Sequence, residues 1–532
     1  MRVAVAAWLT LVPCTMAGVL LARAPAEPPA FAIRNVTVLP MTGVPMAGAP
    51  MAGSPMAGAA PPTTIANATI VVRGDRIVAV GPAAQVTIPK DAQIVDGTGK
   101  YVIPGLIDMH THLSKTRASA MGLFVANGVT TVRDMGGDHE ELLRWRREVR
   151  AGTRVGPRMV IAGPYLEAAS NVDRMRKDPP SERVEPFERI RIPIGSPEDA
   201  RRVVADLATK ELDFLKIRTV ENRETYQAIV DAAHAHKLRV FGHPGGTPDV
   251  VLQVGQDDVE HAFLPPLTST SKEERLALWR QFAARHIPLV PTIVTIKNSV
   301  LAPVDHLKAM VDDGAGKIEA RRPYLSAFLI KDWREQVSET TAERQAIFAR
   351  LVPDVIRDLR EMREAGMDLF TGSDVAVVNI FPGSSLHDEI AYFVSELGMT
   401  PVEALACATR KPAAFLNLTD TGTIEAGKIA DLLVLDANPL DDIRHTRRIA
   451  TVVLRGQRFD RGKLDALLES VRHAPDITVD DWGRKPQAGC GERRLPAIAI
   501  CLSGGCAHHG RLSPSARGGQ PLIENIHTSS SR

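Results

Sequence analysis

The apolar positions of this chain follow two periods in succession. From Ala30 onward, branched and apolar residues alternate with polar ones in FAIRNVTVLP, ATIVVRGDRIVAVGP and AQIVDGTGKYVIP, with GDR and GTG at the turns. That period of two predicts short strands. After Pro104, strand-like apolar runs alternate with amphipathic helical ones. The strand runs are PGLIDMHTHL, VTTVRDMG, PRMVIAGP, LDFLKIR, LRVFGH, DDVEHAF, IPLVPTI and MDLFTGSD, eight in all. Helical periodicity marks EELLRWRREVRAG, PEDARRVVADLATK, RETYQAIVDAAHAHK and ERLALWRQFAARH between them. Regular β–α alternation predicts a parallel sheet. Eight units in this length predict an α/β fold, a closed (β/α)8 TIM-like barrel over residues 103–422. A doubly wound sheet is the alternative, but no Gly-rich phosphate fingerprint opens the first unit.

Period-two texture returns in TGTIEAGKIADLLVLDANPL and TRRIATVVLRGQRFD. These runs match the N-terminal strands in length and turn chemistry. The expectation is one small composite β domain built from both flanks of the barrel, residues 30–102 plus 423–465. A PMAG repeat occupies residues 41–62. It is too short and too rich in small residues to bury a face, so it reads as an expanded hairpin loop. Two connections, 167–194 and 297 to about 364, are long. Barrels build substrate sites from such βα loops at the C-terminal rim.

Composition narrows the function classes. The 532 residues are 44% apolar and 24% charged, with a net charge of +2. That is an ordinary globular balance, without the basic field a nucleic-acid partner would require. Arg2 precedes a mostly apolar run over 3–22, and small residues follow, so residues 1–26 read as a signal peptide and the protein as exported, periplasmic or extracellular. An uncleaved anchor is the rival reading; cleavage leaves no stable membrane insertion. Five cysteines make no disulfide framework. Residues 473–532 turn polar and rich in Gly, Ser, Pro and Arg, the composition of a disordered tail. The spacing of Cys490, Cys501 and Cys506 matches no common zinc pattern.

Candidate chemistry sits at the strand ends. His110 and His112 end the first run, Lys216 lies in the fourth, His243 ends the fifth, His261 the sixth and Asp374 the eighth. Parity puts Asp108, His110 and His112 on one face, and likewise Val259 with His261 and Gly372 with Asp374. Each residue alone has an ordinary reading: a strand histidine is usually a hydrogen-bonded core residue, and Asp374 after Gly-Ser could cap a helix. Together, at the end of one barrel where functional groups gather, they predict a metal centre. Asp108 is the candidate to orient a ligand histidine. Arg218, Arg133, Thr292 and Lys297 lie near strand ends as candidate substrate contacts.

The series YVIPGLIDMHTHL, GVTTVRDMGG, DFLKIR, RVFGHPGG, DVEHAF, LFTGSD, GMTPVEALACATRKPAAFL and GTIEAGKIADLLVLDANPL resembles the amidohydrolase superfamily, in its group of imidazolonepropionase-related and Xaa-Pro-dipeptidase-like enzymes. The resemblance runs from about Ala30 to Asp460. It implies two divalent metal ions, with zinc expected: His110, His112 and Asp374 on one, His243 and His261 on the other, and Lys216, carboxylated by carbon dioxide to a carbamate, bridging them. It further implies hydrolysis of a C–N amide bond by metal-activated hydroxide, with Asp374 as proton carrier. The expected substrate is a small amide, a dipeptide of Xaa-Pro type or an N-acyl amino acid. Hydrolysis of a cyclic amide, lactone or ester is the alternative within enzymes. A non-catalytic exported metal-binding surface protein is the alternative outside them. A homo-oligomer is compatible with all three.

Overall fold

The computed structural model describes residues 28–43, 64–177, 187–263 and 266–473. The signal segment, most of the PMAG repeat, and the tail with its three cysteines lie outside the described residues. Among the described residues no helix is long and apolar enough to cross a membrane.

Strands from both ends of the chain share one sheet. The N-terminal contribution is β1 (Ala30–Val38), β2 (Ile65–Arg73), β3 (Arg76–Pro82), β4 (Gln93–Asp96) and β5 (Tyr101–Pro104). These precede nine barrel-region strands, β6 to β14, given below. The C-terminal contribution is β15 (Leu432–Leu435), β16 (Ile449–Leu454) and β17 (Gln457–Asp460). Their order is β17-β16-β15-β5-β1-β2-β3, with β4 beside β1. The joint is antiparallel, Leu433 opposite Ile103 and Val434 opposite Val102. Alternation explains the burial: Val36, Val38, Ile70, Val72, Val102, Leu432 and Val434 form one apolar cluster on the inner face.

The barrel strands are β6 (Leu106–Thr111), β7 (Val129–Asp134), β8 (Arg158–Ile161), β9 (Tyr165–Ala168), β10 (Arg191–Ile194), β11 (Leu215–Ile217), β12 (Val240–Gly242), β13 (Val259–Glu260) and β14 (Leu289–Val290). The pairs β6–β7–β8, β9–β11–β12 and β13–β14 are parallel. Hydrogen bonds continue the sheet between these groups, among them Asp213 N to Ile161 O (3.0 Å) and Asp257 N to Val240 O (3.0 Å). The eighth unit, 368–374, lies between the last and first strands. Phe370 N donates to Leu289 O (3.0 Å) on one side, and Met109 N donates to Thr371 O (3.0 Å) on the other. Strand one therefore meets strand eight, as the barrel architecture requires.

The helices start where the sequence offers caps. Asp138 accepts from Glu141 N before His139–Arg150, Ser196 from Asp199 N before Pro197–Leu207, and Asn222 from Thr225 N before Arg223–Ala235. Ser271 and Glu274 form a capping box at Lys272–Ala284. Each cap contributes about 1 kcal/mol and fixes where the preceding rim loop ends.

The long connections contain regular elements among the described residues. The third barrel strand resumes after Gly163 as β9, and the charged 167–194 segment contains β10, which pairs in parallel with β9. The 297–364 segment is helical. Its helix Ala327–Ser338 seats Trp333 against Phe381, and the indole Nε1 donates to Ala376 O (3.1 Å) just after Asp374.

Candidate metal centre

Three of the strand ends leave extended geometry on non-glycine residues. His261, Thr292 and Asp374 have φ of +65°, +46° and +55°. Each costs about 1–3 kcal/mol and persists only where surrounding contacts enforce it. The turn at His261 brings both Glu260 and His261 to one site, although strand parity would send them to opposite faces. Asp374 is held by a backbone bond from its N to His110 O (2.8 Å). Close approach there depends on Gly372, where a Cβ would stand 2.5 Å from Val290 Cγ1 and 2.9 Å from His110 Cβ.

Four imidazoles converge, and each is oriented through Nδ1. His110 Nδ1 meets Glu260 Oε2 (2.6 Å), His112 Nδ1 the carbonyl of Gly136 (3.2 Å), His243 Nδ1 the carbonyl of Arg218 (3.0 Å) and His261 Nδ1 the hydroxyl of Thr292 (2.8 Å). Carboxylates and carbonyls only accept, so His110, His112 and His243 carry their proton on Nδ1 and leave the Nε2 lone pair unprotonated. Burial pushes His110, His243 and His261 well below the ordinary imidazole range and keeps them neutral.

Three of the Nε2 atoms surround a carboxylate. His110 Nε2 and His112 Nε2 each lie 3.4 Å from Asp374 Oδ1, and His261 Nε2 lies 3.9 Å from Asp374 Oδ2. Ligating atoms of His110, His261 and Asp374 all fall within 4.8 Å of one another. Acceptors so close repel unless a cation stands among them. Ligands about 2.0–2.2 Å from one tetrahedral ion lie about 3.4 Å apart, which is the spacing found. His243 extends the group, its ring centroid 5.1 Å from that of His261.

Lys216 sits in β11, in register with Tyr165 on one side and Phe241 on the other. Its Nζ is buried without a hydrogen-bond partner among the described residues. Burial lowers the ammonium to about 8, against the attraction of Glu260, Asp258 and Asp374. An orphaned, readily deprotonated amine beside these imidazoles fits a metal-bridging group better than a structural cation.

Other expectations need correction. Arg133 does not face substrate. It is fully buried, with Nε on Met109 O (2.7 Å), Nη1 on Asp258 Oδ2 (2.6 Å) and Nη2 on Glu260 Oε1. Thr292 is spent on His261. Lys297 pairs with Glu396 (2.8 Å). Among the described residues Asp108 makes no hydrogen bond to an imidazole: it accepts from Ser373 Oγ (2.6 Å), Ser373 N (2.9 Å) and the backbone His110 N (3.2 Å), tying strand one to strand eight. Arg218 is the candidate that remains at the rim. It lies 5.6 Å over the Tyr165 ring, with Nη1 3.4 Å from Glu167 Oε1.

Sequence reasoning missed three contributors. Glu260 does for His110 what Asp108 was expected to do. Tyr165 places its hydroxyl 3.2 Å from His112 Nδ1. Asp134 accepts from Leu113 N (2.6 Å) and Gly136 N (3.1 Å), shaping the turn around His112. The adjacent carboxylates in DDVEHAF were the available signal for Glu260; Tyr165 lies between the third strand run and the 167–194 connection, and no pattern singled it out.

Comparison with known proteins agrees with this fold. An amidohydrolase family model matches residues 101–459. Enamidase of Eubacterium barkeri is 22% identical over 395 residues, covering 70% of this chain and 82% of its own. Imidazolonepropionase of Rhizobium meliloti is 26% identical over 388 residues, covering 70% and 85%. Among solved structures, a candidate prolidase from Bifidobacterium longum superposes with a TM-score of 0.59 at 26% identity, covering 83% of this chain and 98% of that one. A Xaa-Pro dipeptidase with bound methionine gives 0.57 at 18%, covering 81% and 100%. A barrel with histidines, a lysine and an aspartate gathered at its strand ends, and a family match spanning that barrel and the adjoining sheet strands, together establish that the chain belongs to the amidohydrolase family.

Proposed function

We propose that this hydrolase of C–N bonds is an exported enzyme that cleaves the amide bond of a dipeptide of Xaa-Pro type or of an N-acyl amino acid. The observation that carries the reading is the set of Nδ1-anchored imidazoles of His110, His112 and His261, whose Nε2 atoms face Asp374, with His243 beside His261. His110, His112 and Asp374 would hold one divalent ion, His243 and His261 a second. Lys216 would take up carbon dioxide on its neutral amine, lose a proton, and bridge the two as a carbamate. Zinc suits imidazole and carboxylate donors.

Divalent ions bound there supply Lewis acidity, which acidifies a water and polarises a carbonyl. The protein supplies the proton path. Asp374, among the imidazoles, accepts the proton of the attacking water and returns it to the departing amine nitrogen as the C–N bond breaks. Neutral His110, His243 and His261 do not compete for that proton. Arg218 offers a planar cation at the rim, suited to the carboxylate of an amino-acid leaving group.

The test is hydrolysis of a panel of Xaa-Pro dipeptides, other dipeptides and N-acyl amino acids, with the enzyme stripped by chelator and then reloaded with zinc. Loss and recovery of turnover on this panel support the reading. Turnover confined to ring-opening of cyclic amides would replace it with a second reading, which the likeness to imidazolonepropionase favours. Metal binding without turnover on any amide or ester would leave a binding protein. Export rests on residues 1–26 and is checked by the N-terminal residue of the mature protein.

A further inference from the structure

We infer that Arg133 is a positioning residue for His110, acting on it both through the backbone and through Glu260. Its guanidinium makes three directed bonds. Nε donates to the carbonyl of Met109 (2.7 Å), the residue before His110. Nη2 donates to Glu260 Oε1, whose other oxygen, Oε2, receives His110 Nδ1–H at 2.6 Å. Nη1 is anchored on Asp258 Oδ2 at 2.6 Å. The flat faces are held as well. The Arg133 carbon Cζ lies 5.1 Å from the Phe241 ring centroid and 5.8 Å from that of Phe214, and those rings pack at 4.6 Å.

Every atom of this relay is sealed from water: Arg133, Asp258 and Glu260 are all 0% exposed. Glu260 therefore has no solvent to choose among, and its two oxygens point where Arg133 and His110 fix them. The carboxylate sets the tautomer and plane of the imidazole; the guanidinium sets the carboxylate. A lysine keeps the charge but cannot supply three coplanar donors in these directions. Partners that orient a metal-bound histidine typically alter metal affinity 10–100-fold when removed.

This inference rests on the metal reading of His110. The test measures zinc affinity by competition with a chromophoric chelator, alongside Tm and the visible spectrum of the cobalt-loaded protein. Arg133→Lys and Glu260→Gln are compared with Arg275→Lys. Arg275 is buried and holds Glu361 through Nε and Nη2 (2.7 and 2.8 Å), so its replacement disrupts the same chemistry away from the site. Expected are a fall in zinc affinity of tenfold or more and a shifted cobalt spectrum in Arg133→Lys and Glu260→Gln. Arg275→Lys should lower Tm while leaving affinity within about threefold of the parent. If Arg133→Lys does not fold, Glu260→Gln, which spares the guanidinium, decides. Folded variants that hold zinc as tightly as the parent overturn the positioning role while leaving the metal reading intact. A parent that binds neither zinc nor cobalt overturns both.

Discussion

His110 and Glu260 stand 150 positions apart in the chain, yet His110 Nδ1 and Glu260 Oε2 meet at 2.6 Å in the sealed interior of the barrel. That contact fixes which nitrogen of His110 faces Asp374. The chemistry of the site follows from it and from the three similar contacts at His112, His243 and His261.

Asp374→Asn removes the proposed proton carrier with little change of shape. Turnover on the best amide substrate should fall by about 10²–10⁴-fold, the range for loss of a general acid–base group. Steady-state kinetics, with metal content by elemental analysis, checks this; an Asn variant with parental kcat and full metal would remove Asp374 from the mechanism.

Lys216→Ala should lose metal and activity together, because it deletes the proposed bridging donor. Truncation of this fully buried side chain leaves a cavity, so Tm is measured beside metal content to separate loss of the donor from loss of the fold. Added short-chain carboxylate should restore part of both in the variant. In the parent, stripping dissolved carbon dioxide during metal reconstitution should slow recovery and bicarbonate should hasten it. Reconstitution indifferent to bicarbonate argues against the carbamate.

Arg218→Met tests recognition of the leaving group. KM should rise about tenfold or more for substrates ending in a free carboxylate, the loss of a charge-assisted hydrogen bond, and hardly change for their amidated counterparts. Equal effects on both would mean that Arg218 supports the Tyr165 region and does not bind substrate.

Glu389 predicts a pH dependence of stability. It is fully buried, accepts from Val294 N (2.7 Å), and burial raises its carboxyl to about 8. The folded state therefore keeps a proton that the unfolded chain releases above its ordinary value near 4.5. The stabilisation is fully present below that value and is lost progressively as pH rises towards 8. Glu389→Gln should flatten this part of the stability curve, by up to about 1.4 kcal/mol per pH unit between the two values. Urea denaturation at several pH values measures it; parallel curves for parent and variant would place the carboxyl elsewhere on the scale.

Much of this protein was legible in one dimension. Local periodicity determined the strand and helix runs, because the parity of a strand and the 3.6-residue turn of a helix are imposed by neighbouring residues alone. The six strand-end residues stood out because a barrel gathers those ends at one face, so order along the chain translates into position in space. What the sequence could not determine was the pairing of polar groups across strands. Asp108 and Glu260 are both carboxylates near a strand end; which one orients His110 depends on φ at His261 and on where Arg133 lies. Arg133 and Arg218 are both strand-end arginines; only packing made one a buried anchor on Phe214 and Phe241 and left the other at the rim. Such choices belong to the tertiary structure, because a buried charge must find its partner wherever the fold brings one, at any distance along the chain.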